Sequence, residues 1–311
     1  MTTATRDITV LMPAYNEADN LPHVVKEIGD VLSQMFTNWS IFVVDDGSTD
    51  GSRGVLNELC SAMPELSYVR LRRNFGKSEA LRVGFNEVDA NLVVLMDADG
   101  QDDPNELPKM LELLDNGYDL VTGRRSVRND RFIKRNTSKI YNAATARVSG
   151  VDGKDFNSGF KAMKGEVASS LEMYGELHRY IPVLAAWSGY RVTEVDVEHR
   201  ERHAGRSKFG RSRFWRGFLD LVTVKFLTTY DTRPFHLIGA IGILIGFVGA
   251  ALLTWMGVLL LAGEGVGTRP ALTIGVLCTV VAVQLVSVGL LAELFVHHRR
   301  RTVTDTVAEV A

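Results

Sequence analysis

Cysteine is nearly absent from this 311-residue chain: Cys60 and Cys278 stand far apart, neither beside a partner motif. That excludes a disulfide framework and a cysteine-built zinc site. A surplus of one charge is also missing. With 35 Lys+Arg against 37 Asp+Glu the formal net charge is −2, which speaks against a general nucleic-acid binder. None of the 7 histidines stands in a catalytic motif. There is no internal repeat and no low-complexity tract. The opening stretch Met1–Asp7 lacks the apolar run of a signal peptide, so the first part of the chain is expected in the cytoplasm.

What is present is 46% hydrophobic and 23% charged residues, strongly segregated along the chain. At ~150 residues per domain the length suggests about two domains. Phe235–Ala262 carries no charged side chain, and Ala271–Val296 is interrupted only by Gln284 and Glu293. Each exceeds the ~20 residues that cross ~30 Å of hydrocarbon. Lys225 and Arg233 precede the pair, His297–Arg301 follows it, and the connecting loop holds a single basic residue, Arg269. The positive-inside rule predicts a two-helix transmembrane hairpin with both termini cytoplasmic, and hence a multi-pass protein of the inner (cytoplasmic) membrane. The expected organisation is a catalytic-type domain over 1–210, a juxtamembrane segment over 211–234, spans at about 235–262 and 271–296, and a basic tail over 297–311.

Residues 1–210 alternate short apolar runs with helix-period stretches. Ile8–Met12 (stopped by Pro13), Ser40–Val44, Tyr68–Leu71, Asn91–Met96 and Asp119–Thr122 read as strands; Leu21–Phe36 and Gly51–Met63 read as helices. This predicts an α/β fold with a mainly parallel sheet covered on both faces, whose ligands bind beyond the strands' carboxyl ends. Charge is zoned around those ends. Asp97–Asp115 holds seven acids and one base, Arg124–Lys139 seven bases and one acid, and His199–Arg216 seven bases and one acid. Together these zones suggest a metal ion and phosphate groups.

Four strand-end loops carry the chemistry. Pro13-Ala-Tyr-Asn-Glu17 can wall a nucleobase, with Tyr15 to pack and Glu17 to accept hydrogen bonds; Asn16 or Asp19 can equally cap the next helix. Asp45-Asp-Gly-Ser-Thr-Asp-Gly51 sets two carboxylates at the mouth of a strand, one of which can read a nucleobase or ribose. In Arg72–Ser78 the Gly76-Lys77-Ser78 tail lacks the earlier glycine of a P-loop, because position 71 is Leu. Asp97-Ala-Asp-Gly-Gln-Asp-Asp-Pro104 places Asp97 and Asp99 on one face with Gln101 near, a set suited to Mg²⁺ or Mn²⁺ with phosphate oxygens completing the shell. An EF-hand is excluded, since Asp102 and Pro108 stand where it needs Gly and Glu.

In this order the motifs resemble those of family 2 glycosyltransferases of GT-A (Rossmann-like) fold. Gly123-Arg-Arg125, Arg135-Asn-Thr-Ser138, Asp155–Phe160 and Arg202-His-Ala-Gly-Arg-Ser-Lys208 narrow the resemblance to polyprenyl-phosphate glycosyltransferases, the group of dolichol-phosphate mannose synthase and the bactoprenol glucosyltransferases. The resemblance implies that Pro13, Tyr15, Glu17, Val44, Asp46, Gly76, Ala98 and Lys208 bind the nucleotide sugar. It implies that Asp97, Asp99 and Gln101 hold the metal and diphosphate, and that Arg125 and Arg202 join Asp97 and Asp99 as catalytic residues. Arg135 and Ser138 would bind the lipid phosphate. Gly100 and Arg206 depart from the usual pattern, and a Gln-x-x-Arg-Trp signature of processive synthases is absent.

The expected reaction is inverting transfer of one hexose, from a UDP-sugar first and GDP-mannose next, to a polyprenyl monophosphate. That acceptor is largely dianionic, its second pKa being about 6, so no general base is required. Ser212–Arg233 reads as an amphipathic helix for the bilayer surface. Glycines 239, 242, 246 and 249 invite helix packing, and the resemblance implies a homo-oligomer, a tetramer. The competing readings are a nucleotide-sugar-binding scaffold without turnover, a glycosyltransferase with a non-lipid acceptor, and a transporter component.

Overall fold

The computed structural model describes residues 7–125, 158–200, 234–267 and 269–300. They fall into two compact units, one within Met1–Val224 and the other within Lys225–Ala311.

The first unit is built on a seven-stranded sheet. Its strands are β1 (Ile8–Ala14), β2 (Trp39–Asp45), β3 (Leu66–Arg70), β4 (Leu92–Leu95), β5 (Leu120–Arg125), β6 (Lys161–Lys164) and β7 (Val192–Val197), in the order β3-β2-β1-β4-β6-β5-β7. Pairs β1–β2, β2–β3, β1–β4 and β5–β7 are parallel. The short strand β6 runs antiparallel between β4 and β5. The sheet is therefore mainly parallel, as the alternating pattern predicts. Period-2 alternation feeds two cores: Ile8, Val10 and Met12 of β1 join one, and Leu11 joins the other. Burial on both faces explains why the first strands read as nearly continuous apolar runs.

The helices cover those faces. In α1 (Leu21–Met35), Leu21, Val24, Val25, Ile28 and Leu32 form one buried stripe, and Pro22 sits in the first turn where its missing N–H costs nothing. Among the described residues, the other helices of this unit are α2 (Ser52–Ala62), α3 (Lys77–Glu87), α4 (Leu107–Asp115), α5 (Gly165–Ser170) and α6 (Ile181–Trp187).

Two expectations need correction here. Pro13 does not stop β1, which continues to Ala14. The pairing with β4 ends at Leu11↔Leu95, while pairing with β2 continues through Pro13↔Val44 and Ala14↔Asp45. Leu11 O accepts from Met96 N and Ala14 O from Asp46 N. Position 13 shares Leu11's side, where the ladder has already run out, so a proline fits. Neither Asn16 nor Asp19 caps α1. Asn20 occupies that position, and Asn16 adopts the left-handed conformation (φ 56°) that asparagine tolerates.

The second unit is a pair of long helices, α7 (Pro234–Leu261) and α8 (Pro270–Arg300). Pro234–Leu261 and Pro270–Val296 are long and apolar enough to cross a membrane, with mean hydropathy 2.4, and only 17% of each apolar window is buried. A soluble-core helix would be mostly buried, so this exposure favours lipid as the surroundings. The glycine face is used inside the pair. A Cβ on Gly242 would lie 3.0 Å from Leu285 Cβ, one on Gly246 3.2 Å from Ala282 Cβ, and one on Gly249 2.8 Å from Thr279 Oγ1. Small residues thus bring these two backbones together. Glu293 joins the two helices at their other end. Its Oε2 accepts from the Phe235 N–H at 3.2 Å, satisfying a donor in the first turn of α7.

Candidate active site

A cavity of about 270 Å³ opens beyond the carboxyl ends of β1, β2 and β4, lined by Pro13, Tyr15, Glu17, Asp46, Asn74, Gly76, Lys77, Ala80, Asp97, Ala98 and Asp99. Its place follows from topology. The strand order turns outward from β1 in both directions, and the crevice lies at that reversal.

The first wall is held by side chains of the second loop. Ser48 Oγ accepts from Asn16 N at 2.9 Å, Asn16 Oδ1 from Thr49 N at 2.8 Å, and Asp50 Oδ2 from Ala18 N at 3.1 Å. Asn20 Nδ2 donates to Glu17 Oε2 at 2.6 Å, orienting that carboxylate.

The adjacent carboxylates of the second loop divide their labour. Asp45 is fully buried, accepting from Ser48 N at 2.9 Å and Arg70 Nε at 3.1 Å. Asp46 lines the cavity and accepts from Phe75 N at 2.7 Å and Gly76 N at 2.9 Å. Burial raises its carboxyl above the ordinary range, against the pull of those two amides. Asp46 therefore ties the β3–α3 loop to the cavity rim. Gly76 takes φ 99° with nothing near a Cβ, so glycine is needed there for conformation and not for space.

The third wall follows β4. Lys77 Nζ, at the start of α3, donates to Asp97 Oδ1. Burial would raise the Asp97 carboxyl, but the Lys77 ammonium outweighs it, with the Lys161 ammonium adding to the effect, so the group is held below the usual carboxylate range. Asp99 Oδ1 accepts from Gln101 N at 3.2 Å, and Asp102 Oδ2 folds back toward Asp97 N at 3.4 Å. Gly159 packs directly on Asp97: a Cβ there would sit 2.5 Å from Oδ2. Ser78 Oγ accepts from His178 N at 3.1 Å and lies 2.9 Å from His178 Nδ1. Burial, then Lys77, pushes the His178 imidazole well below its ordinary range, so it is neutral at physiological pH.

Among the described residues no group of three His, Cys, Asp or Glu side chains makes a metal cage. The two carboxylates on the cavity, Asp97 and Asp99, instead fit a hard cation that keeps water and shares phosphate oxygens. Of the residues expected in the site, the structure brings Pro13, Tyr15, Glu17, Asp46, Gly76, Ala98, Asp97 and Asp99 onto one cavity. Val44 is buried one position before Asp45, and Gln101 is tied to the Arg200 carbonyl. Arg125 ends β5, where only its backbone is described. Arg135, Ser138, Arg202 and Lys208 lie outside the described residues.

Sequence reasoning missed Lys77, Gly159, Lys161 and His178. Lys77 reads locally as the tail of a failed P-loop, although a lysine opening a helix beside a diphosphate-type loop is a signal in its own right. Lys161 is 2% exposed within a strand, and its Nζ donates to Ser158 O.

A family model described as "Glycosyl transferase family 2" matches residues 9–171. The chain is 32% identical over 296 residues to a dodecaprenyl-phosphate galacturonate synthase of Rhizobium johnstonii, covering 93% of this chain and 87% of the relative. It is 34% identical over 290 residues to an undecaprenyl-phosphate 4-deoxy-4-formamido-L-arabinose transferase of Edwardsiella ictaluri, covering 92% and 87%. Among solved structures, glucosyl-3-phosphoglycerate synthase of Mycobacterium tuberculosis in complex with Mn²⁺ and UDP-glucose superposes with a TM-score of 0.54. That likeness, at 20% identity over 72% of this chain and 79% of the other, shows a shared fold. With the family model spanning more than half of the chain and such relatives over nearly all of it, this protein is an enzyme of glycosyl transferase family 2.

Proposed function

We propose that the enzyme transfers one sugar from a nucleoside diphosphate sugar to a polyprenyl monophosphate at the cytoplasmic face of the inner membrane. The observation that carries this reading is the cavity at the β1/β2/β4 ends, where Asp97, Asp99 and Lys77 converge. Two membrane-length apolar helices in the same chain and relatives named for polyprenyl-phosphate acceptors support the lipid side. A UDP-hexose is the first choice of donor and GDP-mannose the second.

Tyr15 and Glu17 would hold the nucleoside, with Asp46 fixing the loop beside it. Asp97, Asp99 and Gln101 would hold Mg²⁺ or Mn²⁺; the structural neighbour's Mn²⁺ complex with UDP-glucose supports a divalent ion. When bound, that ion would neutralise charge on the diphosphate and its departure product. Lys77, already seated against Asp97, offers an ammonium to the same phosphates. The acceptor phosphate would approach as a dianion and attack the anomeric carbon in line, inverting it, with the nucleoside diphosphate leaving. At ~5 Å and an effective dielectric of ~20 each pair of like unit charges repels by roughly 3 kcal/mol. The basic residues proposed for the phosphates answer that repulsion: Arg125 beside the donor, Arg135 with Ser138 at the lipid phosphate, and Arg202 and Lys208 over both. His178, held neutral, is not required as a base.

The test is purified protein with polyprenyl phosphate, Mg²⁺ or Mn²⁺ and a panel of labelled UDP- and GDP-sugars, following label into the organic phase. Label from one donor, lost in Asp99→Ala and with EDTA, is expected. Donor binding without lipid labelling from any sugar would overturn the acceptor assignment.

A further inference from the structure

The segment just past β7 is fastened to the loop after β4 by one residue. Arg200 Nη1 bonds Glu27 Oε1 of α1 at 2.6 Å, and its Nη2 bonds Asp103 Oδ2 at 2.6 Å. Its backbone is engaged as well: Arg200 N donates to Gln101 O at 2.8 Å, and Arg200 O accepts from Gln101 Nε2 at 3.3 Å. Next to it, His199 pairs with Asp102 as an isolated antiparallel bridge and sets its Nδ1 3.5 Å from Asp102 Oδ1.

The amide contact has a chemical consequence. The Arg200 carbonyl is an acceptor only, so the Gln101 side chain must present its NH₂ there. The amide carbonyl is then the part of Gln101 left for a cation. Glu27 and Asp103 carry two negative charges that a single planar guanidinium satisfies through separate nitrogens, a geometry a lysine cannot reproduce. Two residues further along the chain stands Arg202, the first base of the Arg202–Lys208 motif.

We propose that Arg200 is a positioning residue, a clamp that holds the segment after β7 on the loop that carries Asp97 and Asp99 and so fixes the amide of Gln101 for the cation. The inference rests on the proposed reading of the site as a metal–diphosphate centre.

Full-length protein in detergent serves for the test, as wild type, Arg200→Ala, Arg200→Lys and the double variant Glu27→Gln/Asp103→Asn. Free Mn²⁺ is followed by electron paramagnetic resonance with UDP or GDP present, hydrogen exchange reads the peptide spanning 97–107, and lipid labelling reads turnover. Loss of an outer-shell partner weakens metal binding by about 10- to 100-fold in other sites. Arg200→Ala should therefore weaken Mn²⁺ binding by at least about 10-fold, speed exchange in 97–107, and lower kcat for lipid labelling. Arg200→Lys and the double variant should fall between it and wild type. Arg200→Ala that binds Mn²⁺ as wild type does, with unchanged exchange, would overturn the clamp and leave the function standing. Wild type that binds Mn²⁺ with nucleotide but labels no lipid would overturn the acceptor assignment and leave the clamp standing.

Discussion

Replacing Gly159 by alanine tests the site where backbone packs directly on Asp97. A Cβ there would lie 2.5 Å from Asp97 Oδ2, 2.8 Å from Cγ and 3.1 Å from Oδ1. Non-bonded contacts settle near ~3.5 Å, so the carboxylate must retreat by about 1 Å. It can do so by turning about its own side-chain bonds, at the expense of the Lys77 pairing. A misplacement of ~1 Å in a reacting constellation can cost about 100-fold in rate, or roughly 2.7 kcal/mol of transition-state stabilisation. The fold should lose much less, because the atom displaced is the end of a partly exposed side chain. Overpacking at the mild end costs about 1 kcal/mol, a fall of ~2–4 °C in melting temperature for a domain of this size. The assay is kcat/KM for lipid labelling with a metal titration, beside a thermal melt. Gly165→Ala is the contrasting control. Its Cβ would meet the Ala90 carbonyl oxygen, a backbone atom, at 2.0 Å, so it should lower the melting temperature more while touching no cavity residue. Wild-type kcat/KM in Gly159→Ala would refute the placement of Asp97 as a geometry-critical group.

Lys77→Met removes the ammonium bonded to Asp97 at the cavity; donor KM should rise by about 10-fold or more, the loss of a charge-assisted contact being worth ~1.5–3 kcal/mol, with acceptor KM little changed in the same kinetic assay. Asp119 gives a pH test. Burial would raise its carboxyl, but the Lys164 ammonium at 2.6 Å and the Arg191 amide at 2.8 Å hold it below the ordinary value. Its stabilisation is then complete above the unfolded pKa of ~3.9 and lost as pH falls through the lower folded value, so Asp119→Asn should melt earlier than wild type at pH 7, with the gap closing at acid pH. Glu293→Leu strands the Phe235 N–H and should destabilise the helix pair by about 1–3 kcal/mol in a detergent unfolding assay, whereas Glu293→Gln, which keeps an acceptor oxygen, should not.

The strand-end loops are legible in the sequence because topology dictates them. A parallel sheet sends every ligand group to one edge, so the residues after each apolar run are found by counting. Hence Tyr15, Asp46, Asp97 and Asp99 meet at a cavity although no single motif places them together. Other features escape for definite physical reasons. Glu194–Val197 alternates charged and apolar residues, which is a strand signal, yet it lies beside a basic zone whose charge points to phosphate instead. Lys161–Lys164 begins and ends in lysine, and nothing local announces that Lys161 is buried by its partners. Pro13 reads as a stop because the sequence does not say on which side β4 ends.

The largest gap lies in pairings between distant positions. Asp97 is restrained from two directions by residues that share no local pattern with it: Lys77 from α3, and Gly159 from the turn before β6. Glu27 and Arg200, 173 positions apart, are each unremarkable in sequence, one on a surface helix and the other in a run of bases. A motif shows which groups can do chemistry; the partners that aim those groups belong to other elements and become visible only when the sheet closes. The same holds in the hairpin. Gly242, Gly246 and Gly249 form a packing face in either setting, but only the fold shows that α8 fills it, through Ala282, Leu285 and Thr279. A contact between copies of this chain through the helix pair would then have to use its other faces, such as those bearing Phe247, Trp255 and Phe295.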